Sequence, residues 1–260
     1  MSEDQVKMPN FDLTGKVAIV TGSSTGLGRG MALALAHFGA SVVVSSRHLD
    51  KCEEVVKEIE DMGKKAIAVK CDVKVRAEVE NLVKQAVEKF GRLDIIVNNA
   101  GMGITKKVIE MTEEEWDEVY DTNVKGTFFG GAAAAKQMIE QGQGGRIINI
   151  ASAGGLVGTK NIAAYCSSKA AVVSLSKTEA MELGKYGITC NTICPGYVPT
   201  GINSKPLSIP KVYDQIVGRT ALKRLGEIGE IAGVVVFLAS DASSIVTGAY
   251  IAADMGTTCN

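Results

Sequence analysis

The sequence predicts an α/β fold, in which a parallel β-sheet is covered by helices on both faces. Short segments rich in Val, Ile and Ala, typical of buried strands, alternate with helical patterns at the spacing of β-α-β units. A glycine-rich turn follows the first strand, and no repeat or linker interrupts the alternation. Because the chain has 260 residues and is 46% hydrophobic, it can bury one substantial core, and we expect a single domain over residues 1–260.

Local patterns of apolar residues and breakers predict the individual elements. The expected strands are 16–20, 41–46, 66–70, 93–97, 146–150, 188–193 and 249–253. The expected helices are 31–38, 50–62, 75–90, 112–140, 163–185 and 227–239. The fourth helix begins at a capping box formed by Thr112 and Glu115. Residues 197–223 contain Pro206 and Pro210 and lack a clear pattern, so we expect a substrate lid there.

Charge and cysteine content disfavour several classes of protein. The chain has 28 basic and 29 acidic side chains, so we expect no general attraction to nucleic acid or to an anionic membrane. Its six cysteines include no Cys-x-x-Cys pair, and with only two histidines neither a metal site nor a disulfide framework is expected. The polar first residues are unlike a signal peptide and no apolar run has the length of a membrane span, so we expect a soluble, cytoplasmic protein.

The turn after the first strand has the composition of a phosphate-binding turn. Its three glycines have the spacing Gly-x-x-x-Gly-x-Gly rather than the common Gly-x-Gly-x-x-Gly. A bare backbone lets a pyrophosphate approach the N–H groups at the positive end of the next helix. We therefore predict that a dinucleotide binds here, the alternative being a merely flexible loop. The residues predicted to bind it are Gly22, Ser24, Thr25, Gly26, Leu27 and Gly28.

The end of the second strand indicates which dinucleotide binds. An acidic residue about 20 positions past the glycines normally holds the adenosine ribose 2′-hydroxyl of NAD, but this chain has Ser46 and Arg47 there. A guanidinium beside a hydroxyl suits a 2′-phosphate, which a carboxylate would repel. We therefore expect NADP(H) to be favoured over NAD(H). The alternative is that Arg47 only leads into a surface helix and that Asp50 caps that helix.

Polar residues also follow the third and fourth predicted strands. Asp72 follows the third strand, and Asn98 and Asn99 follow the fourth. Ligands bind outside the carboxyl ends of strands in open parallel sheets, so these side chains are candidates for a ligand site. Alternatively, Asp72 is a turn residue and the asparagines only start a polar loop. On residue type alone, Asn123, within a predicted helix, fits a structural polar group whose hydrogen bonds are satisfied better than it fits a functional group.

The strand 146–150 leads to the residues that suggest acid–base chemistry. Tyr165 and Lys169 stand four positions apart on the predicted helix, so they share one face. A nearby ammonium favours the phenolate, and we expect Lys169 to lower the pKa of Tyr165 toward neutrality. Ser152 follows the strand and could hydrogen-bond a substrate oxygen from the other side. The alternative is an ordinary tyrosine–lysine pair on a solvated helix face.

Taken in order, these motifs resemble the short-chain dehydrogenase/reductase family, of the compact single-domain type, over essentially the whole chain. The motifs are Thr21-Gly22-x-x-x-Gly26-x-Gly28, Asp72, Asn98-Asn99-Ala100-Gly101, Asn123, Ser152, Tyr165-x-x-x-Lys169 and Pro195-Gly196-x-Val198-x-Thr200. Each is weakly specific alone, but all of them in this order are strongly specific. The chain departs from the family at residues 253–256, where Ala-Asp-Met-Gly replaces the usual Asp-Gly-Gly ending.

The resemblance implies a Rossmann-type sheet of about seven strands and direct hydride transfer between a nicotinamide and the substrate carbon. Tyr165 would be the general acid and base, Ser152 would position the reacting oxygen, and Lys169 would also bind the nicotinamide ribose. Asn123 would hold a water that relays protons from Lys169 to solvent. Similar proteins are commonly tetramers built through the two long helices and the final helix and strand. The further residues implied for the cofactor are Asp72, Val73, Asn98, Asn99, Ala100, Gly101, Pro195, Gly196, Val198 and Thr200.

The residues expected at the substrate lie in mostly apolar segments and are Met102, Ala153, Tyr197 and Ile202. The chain resembles polyol, acetoin and sugar-type reductases, 3-oxoacyl-carrier reductases and hydroxysteroid dehydrogenases about equally. Because no basic patch for an acidic carrier protein is visible, we favour a neutral hydroxysteroid or a polyol- or acetoin-like compound. A nucleotide-binding regulatory protein without turnover is the alternative from another class. A zinc-dependent alcohol dehydrogenase is disfavoured because the chain has only two histidines that could bind zinc.

Overall fold

The computed structural model describes residues 8–200 and 209–259. Its strands are β1 (Val17–Thr21), β2 (Ser41–Ser46), β3 (Ala66–Lys70), β4 (Ile95–Asn98), β5 (Gly145–Ile150), β6 (Ile188–Pro195) and β7 (Tyr250–Ala253). Within the described ranges these seven strands form one sheet in the order β3-β2-β1-β4-β5-β6-β7, and every neighbouring pair is parallel. The order reverses between β1 and β4, which is where ligands bind in sheets of this type.

The helices that cover the sheet are α1 (Gly26–His37), α2 (Leu49–Asp61), α3 (Arg76–Phe90), α4 (Glu113–Tyr120), α5 (Gly126–Gln141), α6 (Ala163–Leu183), α7 (Pro210–Gly218) and α8 (Ile228–Ala239). A π-helical turn, Asp121–Lys125, joins α4 to α5. None of the helices in the described ranges combines the length and the hydrophobicity that crossing a lipid bilayer would require.

The strands are apolar on both faces because both faces are covered. On one face, Val20 of β1 packs in a cluster with Leu35 of α1 and Val235 of α8. On the other face, Ile19 of β1 packs in a cluster with Leu82 of α3 and Met138 of α5. Successive residues of a strand point to opposite faces, so a continuous run of β-branched residues serves both layers. This burial confirms the predicted parallel α/β sheet.

Two elements differ from the prediction. The helix expected over 112–140 begins at the predicted capping box of Thr112 and Glu115, but the π-helical turn divides it into α4 and α5. The segment expected to be a lid contains α7, which starts at Pro210. Proline is compatible with the first turn of a helix, where its missing N–H is not needed, so Pro210 begins a helix inside a segment in which no helix was expected.

Candidate active site

The glycine turn between β1 and α1 has the geometry expected of a phosphate-binding turn. Gly22 and Gly26 have positive φ angles of 63° and 57°, which glycine adopts without strain. A Cβ added to Gly28 would lie 2.2 Å from the carbonyl oxygen of Gly22, so any other residue here would push the turn apart. In the described structure the first turn of α1 has no acidic residue, and the side chain of Thr25 does not cap it. A bare turn at an uncapped helix N-terminus fits a dinucleotide pyrophosphate.

The end of β4 is fastened to this turn. Asn99 Nδ2 donates to the carbonyl oxygens of Thr21, at 2.8 Å, and Gly22, at 3.1 Å. The main-chain N–H groups of Asn99 and Ala100 donate to Thr21 Oγ1 at 3.0 and 3.1 Å. Asn99 therefore shapes the turn, whereas the side chain of Asn98 is used inside the sheet and does not line this path. Sequence analysis missed the role of Thr21, although its place before Gly22 was visible.

Ser46 and Arg47 stand at the end of β2, as predicted. Ser46 Oγ accepts a hydrogen bond of 3.0 Å from the main chain of His48, which shapes the backbone around Arg47. Arg47 is exposed and forms no ion pair with any described residue. The interpretation of Asp50 as the helix cap is wrong, because α2 begins at Leu49 with His48 in the capping position.

Asp72 and Val73 follow β3 on the same edge of the sheet. Asp72 Oδ1 accepts a hydrogen bond of 3.0 Å from the main chain of Lys74, so Asp72 does serve as a turn residue. Val73 is buried under α5, where a Cβ added to Gly126 would lie 2.7 Å from Val73 Cγ2. The turn and the packing hold both residues beside the carboxyl ends of the strands.

Ser152 lies beside Tyr165. It follows β5 and precedes a short 3-10 turn, Ala153–Gly155, and its hydroxyl accepts a hydrogen bond of 3.0 Å from the main chain of Gly154. A Cβ added to Gly154 would lie 3.4 Å from Ser152 Oγ and 3.7 Å from Tyr165 Cε1. The turn therefore brings the serine hydroxyl and the tyrosine ring to the same point.

Lys169 is a deeply buried ionisable group of the site. Its side chain is 4% exposed, and Nζ donates to the main-chain oxygen of Ile150 at 2.7 Å. Nζ lies 5.8 Å from the centroid of the Tyr165 ring. Burial lowers the pKa of Lys169 to about 8, because the charged form loses its hydration.

The expected effect of Lys169 on Tyr165 is not found in this structure, and that prediction is wrong. Burial raises the pKa of Tyr165, and the Ser152 hydroxyl, which lowers it, is the weaker influence. There are two physical reasons. The Lys169 ammonium is directed at the main-chain oxygen of Ile150, to which it donates, and burial disfavours the charged form of Lys169 itself. The polar neighbour that stabilises the phenolate in this arrangement is therefore Ser152.

Asn123 is fully buried in the π-helical turn. Its Nδ2 donates to the main-chain oxygen of Met102 and to Ser168 Oγ, both at 2.9 Å, and its Oδ1 accepts from the main chain of Met102 at 2.8 Å. Ser168 Oγ in turn donates to the main-chain oxygen of Tyr165 at 2.8 Å. Asn123 and Ser168 thus join the loop after β4 to the first turns of α6. Sequence analysis missed Ser168, although its place three residues after Tyr165 suits such a bond.

The segment after β6 closes the other side of the glycine turn. A Cβ added to Gly26 would lie 3.5 Å from Thr200 Cβ, so Thr200 stands at the start of α1. Val198 is buried. Gly196 follows Pro195 and packs so closely on Asp254 that an added Cβ would lie 2.7 Å from Asp254 Cα. The structure therefore brings most of the predicted cofactor residues to one edge of the sheet.

The residues predicted for the substrate lie around Tyr165 or outside the described ranges. Met102 is half-buried beside Asn123, and a Cβ added to the next residue, Gly103, would lie 3.0 Å from Tyr165 Cδ2. Ala153 is buried and Tyr197 is half-buried. Ile202 lies outside the described residues. No set of three or more His, Cys, Asp or Glu side chains able to hold a metal ion is present in residues 8–200 and 209–259.

The chain is similar to known proteins over nearly its whole length. Residues 22–258 match the family described as enoyl-(acyl carrier protein) reductase. The chain is 40% identical to L-rhamnose 1-dehydrogenase (NAD(P)(+)) of Sphingomonas sp. strain SKA58, over 95% of this chain and 98% of that protein. It is 41% identical to a 3-oxoacyl-[acyl-carrier-protein] reductase of Staphylococcus epidermidis, over 91% and 96%. The structure of a gluconate 5-dehydrogenase from Burkholderia cenocepacia J2315, in complex with NADP and tartrate, is similar with a TM-score of 0.92 and 33% identity, over 96% and 98%.

Fold and matches together define an oxidoreductase that uses a nicotinamide dinucleotide on CH–OH or ketone groups, which confirms the predicted enzyme class. The chain belongs to the short-chain dehydrogenase/reductase family, as its motifs indicated.

Proposed function

We propose that this protein interconverts a secondary alcohol or sugar hydroxyl and the corresponding carbonyl compound, with NADP(H) preferred over NAD(H). The observation that carries the proposal is the convergence of Ser152, Tyr165 and Lys169 beside a bare glycine turn. A neutral, hydroxyl-rich substrate is supported by the relative named for L-rhamnose. A hydroxysteroid, the other compound that the sequence suggested, has no such support.

In the proposed reaction, the cofactor supplies or accepts the hydride when it is bound. Tyr165 donates its phenolic proton to the carbonyl oxygen during reduction and takes it back during alcohol oxidation. Ser152 hydrogen-bonds the same oxygen and fixes its direction toward the phenol. The partly desolvated Lys169, whose pKa is about 8, exchanges a proton near neutral pH and resupplies Tyr165.

Asn123 is proposed to maintain the path along which that proton reaches solvent. Both N–H bonds of its side chain are used, on Met102 and Ser168, so a water molecule would donate to the second lone pair of Oδ1, which already accepts from the main chain of Met102. A Cβ added to Gly101 would lie 3.1 Å from Lys169 Nζ and 3.2 Å from Asn123 Oδ1, so the two groups approach the same spot. The bare glycine keeps that spot accessible to a small molecule.

The proposed preference for NADP(H) rests on the positive charge of Arg47 at the end of β2. Arg47 is exposed there without an acidic partner among the described residues, and the Ser46 hydroxyl lies next to it in the chain. A guanidinium and a hydroxyl are suited to a 2′-phosphate. A gluconate 5-dehydrogenase with bound NADP and the same overall fold supports this choice.

We further propose a cytoplasmic homotetramer with a substrate lid over residues 197–223, of which residues 201–208 lie outside the described part of the chain. Large apolar side chains are exposed on the elements that the family resemblance implies as contacts: Phe128 on α5, Met181 on α6 and Tyr250 on β7. Burying such side chains between copies is favourable. All six cysteines, each within the described ranges, are free thiols, which is compatible with a reducing compartment.

A panel of neutral ketones, polyols and aldoses tests the proposal. Each compound is mixed with NADP+ or NADPH, and the absorbance of the reduced nicotinamide is followed. We expect turnover with at least one aldose or polyol and a higher kcat/KM for the NADP pair than for the NAD pair. Turnover confined to the NAD pair would contradict the cofactor preference.

The second candidate substrate is a 3-oxoacyl thioester on a carrier protein, which the family description and the Staphylococcus epidermidis relative favour. Both candidates use the same chemistry, so a 3-oxoacyl thioester in the panel separates them. A nucleotide-binding regulatory protein, the alternative from another class, would bind NADPH and turn over none of these compounds.

A further inference from the structure

A chain of polar side chains runs from β4 to α6 beneath the candidate active site. Asn98 Nδ2 donates to Asn149 Oδ1 at 2.8 Å. Asn149 Nδ2 donates to Ser176 Oγ at 2.7 Å and to Glu179 Oε2 at 2.9 Å. The first three residues are buried and Glu179 is half-buried. Neither the cofactor turn nor the acid–base group uses this network.

Glu179 has no cationic partner among the described residues. The titratable groups that act on it are Glu182 of the same helix and the thiol of Cys190 on β6, while β5 contributes the neutral Asn149 and α5 contributes Gly131. Burial raises the pKa of Glu179 to about 7, Asn149 acts against this shift, and Glu182 adds to it. A desolvated carboxyl group without a cation is favoured as the neutral acid, which has a proton to donate.

A buried acceptor that lacks a donor in the described structure lies against α5, beside the position of Glu179. Asn98 Oδ1 is buried and has no hydrogen-bond partner within the described residues. A Cβ added to Gly130 would lie 2.0 Å from Asn98 Oδ1, and one added to Gly131 would lie 2.3 Å from Glu179 Oε1. Two consecutive glycines of α5 therefore make room for the unsatisfied acceptor and for the free oxygen of the carboxyl group. A buried acceptor left without a donor costs about 1–3 kcal/mol, so a hydrogen bond from neutral Glu179 to Asn98 Oδ1 would remove this cost.

Two members of this network, Asn149 and Asn98, directly precede residues of the candidate site in the chain. Asn149 immediately precedes Ile150, whose main-chain oxygen accepts from Lys169 Nζ. Asn98 immediately precedes Asn99, whose side chain binds the carbonyl oxygens of the glycine turn. A change in the network would therefore shift the groups that hold Lys169 and the turn.

We propose that Glu179 is a positioning residue for the dehydrogenase site and that it acts as a neutral acid. Its hydroxyl donates to Asn98 Oδ1, directly or through one water molecule, and its other oxygen accepts from Asn149. Ionisation removes the donor and leaves a buried charge, so the ends of β4 and β5 loosen and turnover falls. The role of Glu179 in turnover rests on the proposed function, whereas its protonation state does not.

Glu179→Gln tests the proposal, because glutamine accepts from Asn149 and donates to Asn98 but does not ionise. The matched control is Glu140→Gln, an exposed carboxyl on α5 that does not act on the pKa of Glu179. We expect kcat of Glu179→Gln to equal that of the wild type at about pH 6 and to exceed it about threefold at about pH 8. KM for NADPH should change little, and Glu140→Gln should follow the wild type. A Glu179→Gln profile parallel to that of the wild type, or low at every pH, would overturn the proposal.

Chemical unfolding provides a readout that needs no substrate. The free energy of unfolding of the wild type should fall relative to Glu179→Gln as the pH rises from about 5 to about 8, because the folded protein binds this proton more tightly than the unfolded chain. A difference independent of pH would refute the neutral acid. A pH-dependent difference in stability without any difference in the kcat profile would refute the positioning role and leave the proposed function intact.

Discussion

Lys169 Nζ donates a hydrogen bond of 2.7 Å to the main-chain oxygen of Ile150, the last residue of β5. The strand that leads to Ser152 thus holds the amine that lies 5.8 Å from the Tyr165 ring centroid. Holding an ammonium in this buried position costs stability, since its pKa falls to about 8. The predictions below follow from this arrangement and from the cofactor turn.

Lys169→Met should abolish turnover and stabilise the fold. At pH 7 the buried ammonium is costly, so removing it should raise the free energy of unfolding by about 2 kcal/mol after the lost hydrogen bond is subtracted. The gain should disappear between about pH 8 and pH 10.5. In this range Lys169 is already deprotonated in the folded wild type but still protonated in the unfolded chain, so the stability of the wild type rises with pH. Chemical unfolding across this pH range measures the difference in free energy of unfolding, and Lys136→Met, at an exposed lysine, is the control. A variant less stable than the wild type at pH 7 would contradict the assigned cost.

Ser168→Ala should weaken the link between Asn123 and Tyr165. The change removes the acceptor of Asn123 Nδ2 and the donor to the Tyr165 carbonyl, so we expect a loss of about 1–3 kcal/mol in stability and roughly a tenfold loss in kcat. Its neighbour Ser167 hydrogen-bonds only to main-chain oxygens of its own helix, at Ala163 and Ala164, among the described residues. Ser167→Ala is therefore the control, and equal losses in both variants would argue against a specific role for Ser168.

Gly28→Ala should impair cofactor binding. The added methyl group would meet the carbonyl oxygen of Gly22 at 2.2 Å, so the turn must open. We expect the Kd for NADPH to rise at least about tenfold, which corresponds to about 1.4 kcal/mol. Gly233 on α8 has no atom within 4 Å of an added Cβ, and Gly233→Ala should bind NADPH normally. Fluorescence titration with NADPH measures both values, and unchanged binding by Gly28→Ala would place the pyrophosphate elsewhere.

Arg47→Asp should shift the choice of cofactor. Replacing the cation with an anion should weaken NADPH relative to NADH by more than about tenfold in kcat/KM. Lys57→Asp, the same charge change at an exposed position farther along α2, should leave the ratio near that of the wild type. Equal losses with NADPH and NADH would speak against a contact with the 2′-phosphate.

Periodicity and breakers predicted the sheet because the strands are short apolar runs rich in Val, Ile and Ala, and because helical patterns of apolar residues separate most of them. The π-helical turn at Asp121–Lys125 leaves no such mark, since its composition is compatible with an ordinary helix. The helix α7 was missed because its first residue, Pro210, also occurs as a loop residue. Local patterns indicate which residues are apolar, whereas the π-helical turn and the start of α7 depend on how each segment packs against the rest of the protein.

The residue types of the candidate site were predicted from motifs, but their partners were not. Spacing placed Tyr165 and Lys169 on one face, yet only the structure shows that Ile150 holds the ammonium and that burial raises the pKa of the phenol. The part played by Ser168 and Thr21 depends on contacts between segments far apart in the chain. Such contacts follow from tertiary packing and have no local signature.

The central claim is that Tyr165 transfers the proton, and Tyr165→Phe tests it most directly. With the best substrate of the panel and saturating NADPH, we expect kcat to fall by about 100- to 10,000-fold, while the Kd for NADPH stays within about threefold of the wild type. Tyr186→Phe, at an exposed tyrosine just beyond the same helix, should retain full turnover. Wild-type kcat in Tyr165→Phe would contradict the assigned role.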